Sequence, residues 1–437
     1  MMNNVTINNA EGIIIGGNTQ INGTLTLSNG LVTLGSNNLV LGPSASTAGS
    51  SPSATNMVVA TGSGQMKKNF PDGNGVARTF TYPVGDNTSS AEYSPVTLNF
   101  STGIFTNGYV GVNLVNASYP GLTGDHLNRY WTVSASNITG FSCDARFEYV
   151  PADVIGNESN ISCIRIDPNL ATYFPTNTTS HYLTANGLTS FGTFTGGLGA
   201  AQTGLTAFLQ GPYNGTNHNM NNTLTTLPLG DRSDLTKFPN NQPYNLAPWN
   251  YSGTESVGSL PANAVDWVLV ELRHAGSSAA ATSITVLGRR AAFILKNGSI
   301  VDLDGTSLKF KNLPAFSDNL YIVVYHRNHM AIMAKNALTR DANQVYNYDY
   351  STGPTQVYGG TNGYLQIDTN PGRWGMVAGD ADANNMILGN DYTDFWIPSF
   401  NTVNKYMPAD FNMDSNVLGN DYTDFWITNF NKINVLP

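Results

Sequence analysis

The chain has 437 residues, a formal net charge of −9 at pH 7 and only 11% charged residues, whereas globular domains usually contain about 25%. This balance argues against a nucleic-acid or anionic-membrane partner, and no stretch approaches the ~20 apolar residues of a membrane span. Glycine and small polar residues take the place of the charges, which is typical of secreted, β-rich proteins. The length predicts three or four domains.

Apolar residues recur every seven positions in residues 20–42, in the two series Leu25, Val32, Leu39 and Leu27, Leu34, Leu41. A seven-residue period can indicate a coiled coil. Here SNG, GSNN and GPS interrupt it, and these turn residues favour short strands. We therefore predict a β-solenoid or meander that needs a neighbouring element to cover its ends. With a low-complexity linker or long loop at 44–56, it forms a first segment over residues 1–56.

Two longer segments predict two β-sandwich-like domains in a mainly β protein. Residues 57–200 alternate apolar and polar positions between turn residues, as in SPVTLNF and YVGVNLV, which is the pattern of short sandwich strands. Residues 205–377 contain the strand candidates 265–272, 291–303 and 319–327. The middle candidate carries Asn297-Gly298, a strong signal for a tight hairpin.

The only two cysteines of the chain are Cys143 and Cys163. They flank a segment that is predicted to be strand, turn, strand. Cysteines on adjacent strands suit a disulfide in an oxidising compartment, so we predict this bridge. The alternative is two buried thiols.

The decapeptide LGNDYTDFWI occurs twice, at 388–397 and at 418–427, which indicates two copies of one structural unit. A twelve-residue loop begins before each copy and ends inside it. Its positions 1, 3, 5 and 12 carry side chains with oxygen atoms. Calcium takes six to eight oxygen ligands, and this spacing turns them toward one point. We predict two Ca²⁺ sites, with backbone carbonyls at position 7: Asp380, Asp382, Asn384, Met386 and Asp391 in the first, and Asp410, Asn412, Asp414, Asn416 and Asp421 in the second.

The other loop positions fit this interpretation. Position 6 needs a left-handed backbone, and Asn385 tolerates it better than Ser415, which predicts a weaker or slightly distorted second loop. Position 8 is apolar, as Ile387 and Val417, as expected where two loops pair back to back. From residue 379 onward eight aspartates and two lysines give a charge of −6, most of the total. The alternative is a duplicated surface turn rich in Asp and Asn.

A short helix is predicted after each loop. Aromatic residues at i, i+3 and i+4 indicate a hydrophobic seam between the repeats, and Pro398 is expected to stop the first helix. Loop plus one helix resembles the dockerin type I repeat rather than a full EF-hand, over residues 379–437. The resemblance implies a small calcium-binding domain at 378–437. The aromatic residues are Tyr392, Phe395 and Trp396, and Tyr422, Phe425 and Trp426.

A second resemblance covers most of residues 70–437. The segments TYPVGDN, LQGPYNG, PYNLAPWNYSGTESV, VDWVLVELR and RRAAFILKNGSIVDLDG look like modules of large secreted proteins of Bacteroidetes. Such modules often precede a dockerin-like pair. The resemblance implies export by the type IX system and a place at the cell surface or in an extracellular assembly. The chain departs from the common pattern because no separate sorting domain follows the second repeat.

The sequence contains no Gly-x-Ser-x-Gly, His-Glu-x-x-His or phosphate-loop motif, which favours a protein that is not an enzyme. His326 and His329 end a predicted strand, where i and i+3 point to opposite faces, so we expect them not to share a metal. A carboxylate pair for glycoside hydrolysis depends on distances through space and stays open.

These patterns favour a secreted structural or adhesive surface protein, such as an adhesin, a surface-layer protein or a filament subunit. Its strands in residues 5–42 carry one charge, Glu11, and offer open edges for β-strand addition by other copies or other surface proteins. The alternative is a carbohydrate-binding module of a polysaccharide-handling system, with glycans as partners. Its aromatic platform would be Tyr213, Tyr244, Trp249 and Tyr251, which could equally be core residues.

Overall fold

The computed structural model is mainly β, as predicted, and describes residues 1–48, 51–167, 170–174, 180–314, 316, 319–341 and 345–437. It divides into two compact units. The first is Met1–Gly199 with Asn312–Phe316, and the second is Ala200–Lys311 with Ser317–Pro437. The predicted segments 1–56 and 57–200 lie in the first unit up to Gly199. The predicted segments 205–377, apart from Asn312–Phe316, and 378–437 lie in the second unit.

The N-terminal chain runs three times through a set of three short strands, and each run is called a pass. Equivalent strands of successive passes pair in parallel and form three ladders. The ladders are β1-β4-β7, β2-β5-β8 and β3-β6-β9. Their strands are β1 (Val5–Asn8), β2 (Ile13–Ile14), β3 (Thr19–Ile21), β4 (Thr24–Asn29), β5 (Val32–Thr33), β6 (Leu39–Leu41), β7 (Ser46–Ala48), β8 (Val58–Val59) and β9 (Met66–Asn69).

The seven-residue period is the distance along the sequence between equivalent buried positions on consecutive strands of one pass. Leu25, Val32 and Leu39 lie on β4, β5 and β6, and all three side chains are buried. The predicted linker at 44–56 is wrong for its described residues, because β7 lies within it and the buried Asn56 donates from Nδ2 to Leu27 O at 3.0 Å.

Two long strands dominate the rest of the first unit. β14 and β15 pair antiparallel, and three irregularities in their register let β14 pair with β11 at one end and with β9 at the other. The strands are β10 (Gly73–Asn74), β11 (Arg78–Tyr82), β12 (Val84–Asp86), β13 (Glu92–Tyr93), β14 (Val96–Val115), β15 (His126–Glu148), β16 (Val154–Ile155), β17 (Ser162–Asp167), β18 (Leu170–Phe174), β19 (Tyr182–Leu188) and β20 (Thr193–Gly197).

The predicted disulfide is wrong, since the structure has no bond between the two cysteines. Cys143 on β15 pairs with β14 and β19, while Cys163 on β17 pairs with β18 and β20. β20 lies between β15 and β17, and its register sets Cys163 near the level of Tyr130, far along β15 from Cys143. A disulfide needs Cα atoms within about 7 Å, so these positions do not allow one.

A nine-stranded sheet forms the centre of the second unit, in the order β31-β30-β26-β27-β28-β21-β33-β32, with β29 also pairing with β21. Its strands are β21 (Gly199–Thr206), β26 (Ala264–His274), β27 (Val286–Leu295), β28 (Ser299–Val301), β29 (Leu308–Leu313), β30 (Leu320–Tyr325), β31 (Ile332–Met333), β32 (Thr339–Arg340) and β33 (Val345–Asp349). Short pairs are formed by β22 (Tyr213–Asn214), β23 (Asn219–Met220), β24 (Leu229–Gly230), β25 (Phe238–Pro239), β34 (Tyr364–Gln366) and β35 (Trp374–Met376).

The predicted strands of this unit are present. The hairpin at Asn297-Gly298 is confirmed: Phe293 pairs with Val301, and Gly298 has a φ of 85°. β26 is buried along nearly its whole length between β27 and β30. Its buried Asp266 accepts a hydrogen bond from Tyr406 Oη, which links this strand to the C-terminal repeats.

Helical structure is confined to short segments. One helical segment follows each repeat loop, at 389–399 and 419–429, and the first runs through Pro398 to end one residue later. No described helix has the length and apolarity needed to cross a membrane. The two repeat helices consist of the π-helical turns Asp391–Trp396 and Asp421–Trp426, followed by α1 (Ile397–Ser399) and α2 (Ile427–Asn429) respectively. Short 3₁₀ turns lie elsewhere in the described chain, at Pro151–Asp153, Glu158–Asn160, Thr223–Thr226, Ser278–Ala280, Ser283–Thr285 and Pro354–Gln356.

The thiols should be reduced and unreactive in the native protein. Burial raises the pKa of Cys143 to about 12 and raises that of Cys163 as well, so little thiolate is present at neutral pH. We expect two alkyl groups after denaturation without reductant and none in the folded state, measured by intact mass. A protein that takes up no alkyl groups when denatured would contradict this arrangement.

Candidate metal centre

The first repeat loop draws its carboxylates together at the C-terminal end of the chain. Ligand oxygens of Asp380, Asp382 and Asp391 lie within 4.8 Å of one another. Asp380 accepts from the backbone N–H groups of Asn384 at 3.0 Å and Asn385 at 2.9 Å. Asp391, at position 12, accepts from the N–H groups of Ala381 at 2.7 Å and Leu388 at 2.9 Å. The loop is thus wound tightly around its own acidic side chains.

The second loop repeats this geometry bond for bond. Asp410 accepts from the N–H groups of Asp414 at 3.0 Å and Ser415 at 2.9 Å. Asp421 accepts from Phe411 N at 2.7 Å and Leu418 N at 2.8 Å. The two loops therefore share these four backbone hydrogen bonds although their residues at positions 2 to 8 differ.

The side chains at positions 3 and 5 contribute to the same turn. Asn384 Oδ1 accepts from Met386 N at 2.8 Å, and Asp414 Oδ1 accepts from Asn416 N at 2.9 Å. At position 3, Asp382 and Asn412 each accept from the N–H group two residues later. All ten predicted ligand residues consequently lie in the two loops, at corresponding positions.

Both loops have a left-handed backbone at position 6, as predicted. Asn385 has a φ of 66° and Ser415 a φ of 71°. Position 4 is left-handed as well, at Ala383 and Met413. Four such residues that are not glycine store backbone strain, so the loops need an additional source of stability.

Burial strongly disfavours the charged form of these carboxyl groups. Asp380, Asp391, Asp410 and Asp421 are all 0% exposed. Burial raises the pKa of Asp391 and Asp421 to about 6. It raises the pKa of Asp380 and Asp410 well above the usual range, with repulsion from the position-12 carboxylate adding to the effect. A cation among these oxygens would oppose both effects by stabilising the charged carboxylates.

The expected back-to-back pairing of the two loops at position 8 is wrong. Ile387 exchanges backbone hydrogen bonds with the segment after the second helix, at Lys432 and Asn431. Val417 pairs in the same way with Thr402, after the first helix. Each loop is thus completed by the end of the other repeat, which the order of residues along the chain does not reveal.

The predicted aromatic seam between the repeats is confirmed. Tyr392 lies 5.1 Å from Tyr422 and 4.9 Å from Trp426, measured between ring centroids. Trp396 Nε1 donates to Leu418 O at 3.3 Å, and Trp426 Nε1 donates to Leu388 O at 3.1 Å. The two repeats therefore hold each other through reciprocal contacts of identical residues.

A buried polar network ties the second loop to the nine-stranded sheet. Asp266, at 0% exposure on β26, accepts from Tyr406 Oη at 2.8 Å and from Arg327 Nε at 2.9 Å. Arg327 also donates to Met407 O, and Asn328 Nδ2 donates to Asp410 O at 2.6 Å. The position-1 residue of the second loop is in this way fixed by the chain that follows β30.

The two histidines of this region meet, contrary to the prediction from strand periodicity. β30 ends at Tyr325, so the chain turns before His329. The Nδ1 atoms of His326 and His329 are 3.1 Å apart, and both rings are buried. His329 Nε2 accepts from Gly211 N at 3.0 Å, and burial lowers its pKa well below the usual value. The pair contributes to the buried network.

The four aromatic residues considered for sugar binding do not form one exposed platform. Tyr244 is fully buried and donates from Oη to Trp267 O at 2.7 Å. Trp249 meets it edge-on at 4.9 Å between ring centroids. Tyr251 donates to Glu255 at 2.5 Å, whereas Tyr213 donates to Asp368 at 2.8 Å. These contacts are those of packed loops.

No family model matches the chain, and neither curated proteins nor solved structures show a significant similarity to it.

The raised pKa values predict that the metal-free protein is more stable at acidic pH than at neutral pH. Asp391 and Asp421 bind protons more tightly when folded than when unfolded. In chelator, the free energy of unfolding should therefore fall as pH rises from the unfolded pKa of 3.8 through about 6. Thermal unfolding across this range measures the slope. Asp391→Asn removes one titrating group and should flatten it, and an unchanged slope would contradict the assignment.

Proposed function

We propose that the chain is a non-catalytic, secreted structural or adhesive surface protein whose C-terminal repeats form a dockerin-like pair of calcium sites. The observation that carries the proposal is the matching geometry of the two loops. Each buries a carboxylate at position 1 and another at position 12, and in the first loop these two converge with Asp382 within 4.8 Å. Backbone N–H groups bond these carboxylates, but no Lys or Arg of the loops compensates their charge.

The donor set fits calcium better than other metals. The loops offer carboxylate, amide and backbone oxygens and no thiol or imidazole, which is the preference of a hard cation. Asp380, Asp382, Asn384 and Asp391 would hold the first ion with the carbonyl of Met386. Asp410, Asn412, Asp414 and Asp421 would hold the second with the carbonyl of Asn416. Calcium would supply positive charge and would leave the loops rigid.

We further propose that the N-terminal parallel ladders are a short β-solenoid that assembles by strand addition. β1, β2 and β3 are end strands of their sheets, with pairing on one side by β4, β5 and β6. Met2 covers only the end of β3, through a bridge to Ile21. Ile14 on β2 is 80% exposed. An exposed apolar residue on an open strand edge favours pairing with another chain.

Removing one position-12 carboxylate should abolish one calcium site. In Asp421→Ala the second loop loses the acceptor for the N–H groups of Phe411 and Leu418 as well as a metal ligand. Calorimetry of the intact chain should show two calcium ions per wild-type protein and one per variant, with affinities on the order of 10⁻⁶ to 10⁻⁴ M.

Asp424→Ala is the matched control, because Asp424 lies in the same helix, is exposed and is not in the ligand set. It should leave both sites intact. Wild-type protein that takes up no calcium at millimolar concentration would overturn the metal proposal while leaving the strand-addition proposal untouched.

A charge on the open edge should prevent assembly. Ile14→Lys places an ammonium group on β2, where an added strand would have to bury it. We expect the wild type to form concentration-dependent assemblies in sedimentation and electron microscopy, and the variant to remain monomeric. Ile284→Lys is the control, since Ile284 is 92% exposed and lies outside the ladders. Equal assembly of Ile14→Lys and wild type would exclude this edge as the joint.

A further inference from the structure

The first pass, β1 to β3, leaves hydrogen-bonding groups open on the side away from β4, β5 and β6. Ile13 N donates to Leu31 O at 2.8 Å, and Ile15 N donates to Thr33 O at 3.0 Å. Successive residues of a strand direct their N–H and C=O groups to opposite sides, so those of Ile14 point away from β5. This edge therefore offers a donor and an acceptor to a further strand.

Parallel pairing holds throughout the ladders and extends to this edge. Equivalent strands of successive passes all pair in parallel. Met2 forms a parallel bridge with Ile21 on the open side of β3. Its N–H donates to Gln20 O and its carbonyl accepts from Asn22 N, both at 2.9 Å. A strand that runs parallel to β1 and β2 would therefore continue the geometry that this edge already has.

A column of side-chain hydrogen bonds joins the same turn of successive passes. Asn38 N donates to Asn18 Oδ1 at 2.8 Å, and Gln65 N donates to Asn38 Oδ1 at 3.0 Å. Asn18 lies at the head of this column, and no acceptor among the described residues bonds its own backbone N–H. An asparagine at the same turn of an added pass would supply that acceptor.

The interior of the ladders ends at this edge in aliphatic residues that are only partly covered. Ile13 lies in register with the buried Val32, which is in register with the buried Val58, but Ile13 itself is only partly buried. Val5 is also partly buried, and its partner in register, Leu25, is fully buried. Aliphatic side chains of an added pass would cover both residues, and each Å² of apolar surface removed from water stabilises the contact by about 25 cal/mol.

We propose that the partner of this edge is the last pass of a different β-solenoid, which adds in parallel and places an asparagine against Asn18. This inference rests on the strand-addition function proposed above and specifies its partner. A second copy of this chain does not provide such a pass, because β12 and β14 already pair with β8 and β9 at the far end of its ladders. The partner would instead present unpaired strands with aliphatic residues at the positions that meet Val5 and Ile13.

A fluorescent peptide with the sequence of residues 23–38 tests this chemistry. It copies β4, β5 and the turn that ends at Asn38, so in parallel register its Asn38 would meet Asn18. Titration with the full chain, followed by fluorescence anisotropy, should show saturable binding. The Asn38→Ala peptide should bind roughly tenfold more weakly, because one backbone N–H is left without an acceptor. No saturable binding at millimolar concentration, or equal binding of the two peptides, would overturn the proposal.

Disulfide trapping determines the direction of the added strand. Ile14 lies in register with Thr33 in the parallel ladder, and neighbouring strands are close enough for a disulfide between such positions. Ile14→Cys in the protein should therefore cross-link to a Thr33→Cys peptide and not to a Ser28→Cys peptide, as measured by intact mass. Ile284→Cys, at an exposed residue outside the ladders, is the control and should cross-link to neither. Equal cross-linking of Ile14→Cys to both peptides would contradict the parallel register.

The partner proposal and the strand-addition proposal fail separately. If Ile14→Lys prevents assembly of the chain but the wild type binds no peptide, strand addition at this edge stands and the solenoid partner is wrong. If the wild type neither assembles nor binds the peptide, both proposals are wrong.

Discussion

The C-terminal half of the chain depends on one electrostatic constraint, the burial of four carboxylates in two small loops. Taking a carboxylate out of water costs several kcal/mol even after relaxation. The tail from residue 379 onward contributes only Lys405 and Lys432 as compensating charges. Arg327 acts on Asp410 alone and is itself held by Asp266. Among the described residues of the two loops, no Lys or Arg compensates the charged form of these carboxyl groups, which is why we propose a divalent cation there.

The same constraint explains why the repeats occur as a pair. Each loop gains its last backbone hydrogen bonds from the end of the other repeat, and each tryptophan indole donates to a carbonyl of the other copy. A single repeat would leave these groups open. The pair in turn shares an apolar core with the chain around Met330 and Val377. Calcium bound in the loops would accordingly stabilise the nine-stranded sheet as well, through the Asp266 and Arg327 network.

Sequence reasoning succeeded where the determinants are local. The left-handed backbone at position 6 of each repeat loop follows from its place in the motif, and Asn297-Gly298 defines its own turn, so both could be placed from the residues alone. It failed where partners come from distant segments. Ile387 pairs with the chain after the second helix, and the strand that separates Cys143 from Cys163 follows both in sequence. The seven-residue period was visible in the sequence, but only the ladders show that it spans the faces of a pass.

The pairing of the ladder strands also limits how the open edge formed by β1, β2 and β3 can join identical copies of the chain. Two of the three parallel ladders are closed at their far end, where β8 pairs with β12 and β9 pairs with β14, whereas β7 is the last strand of the third among the described residues. The first pass, β1 to β3, forms the opposite end of the ladders and has strand neighbours on one side only. Two copies that meet through this pass therefore present the same surface to each other. Such a contact is twofold symmetric and closes after two chains. A filament of this protein would need a second, different surface, whereas attachment to another surface protein needs only this one edge.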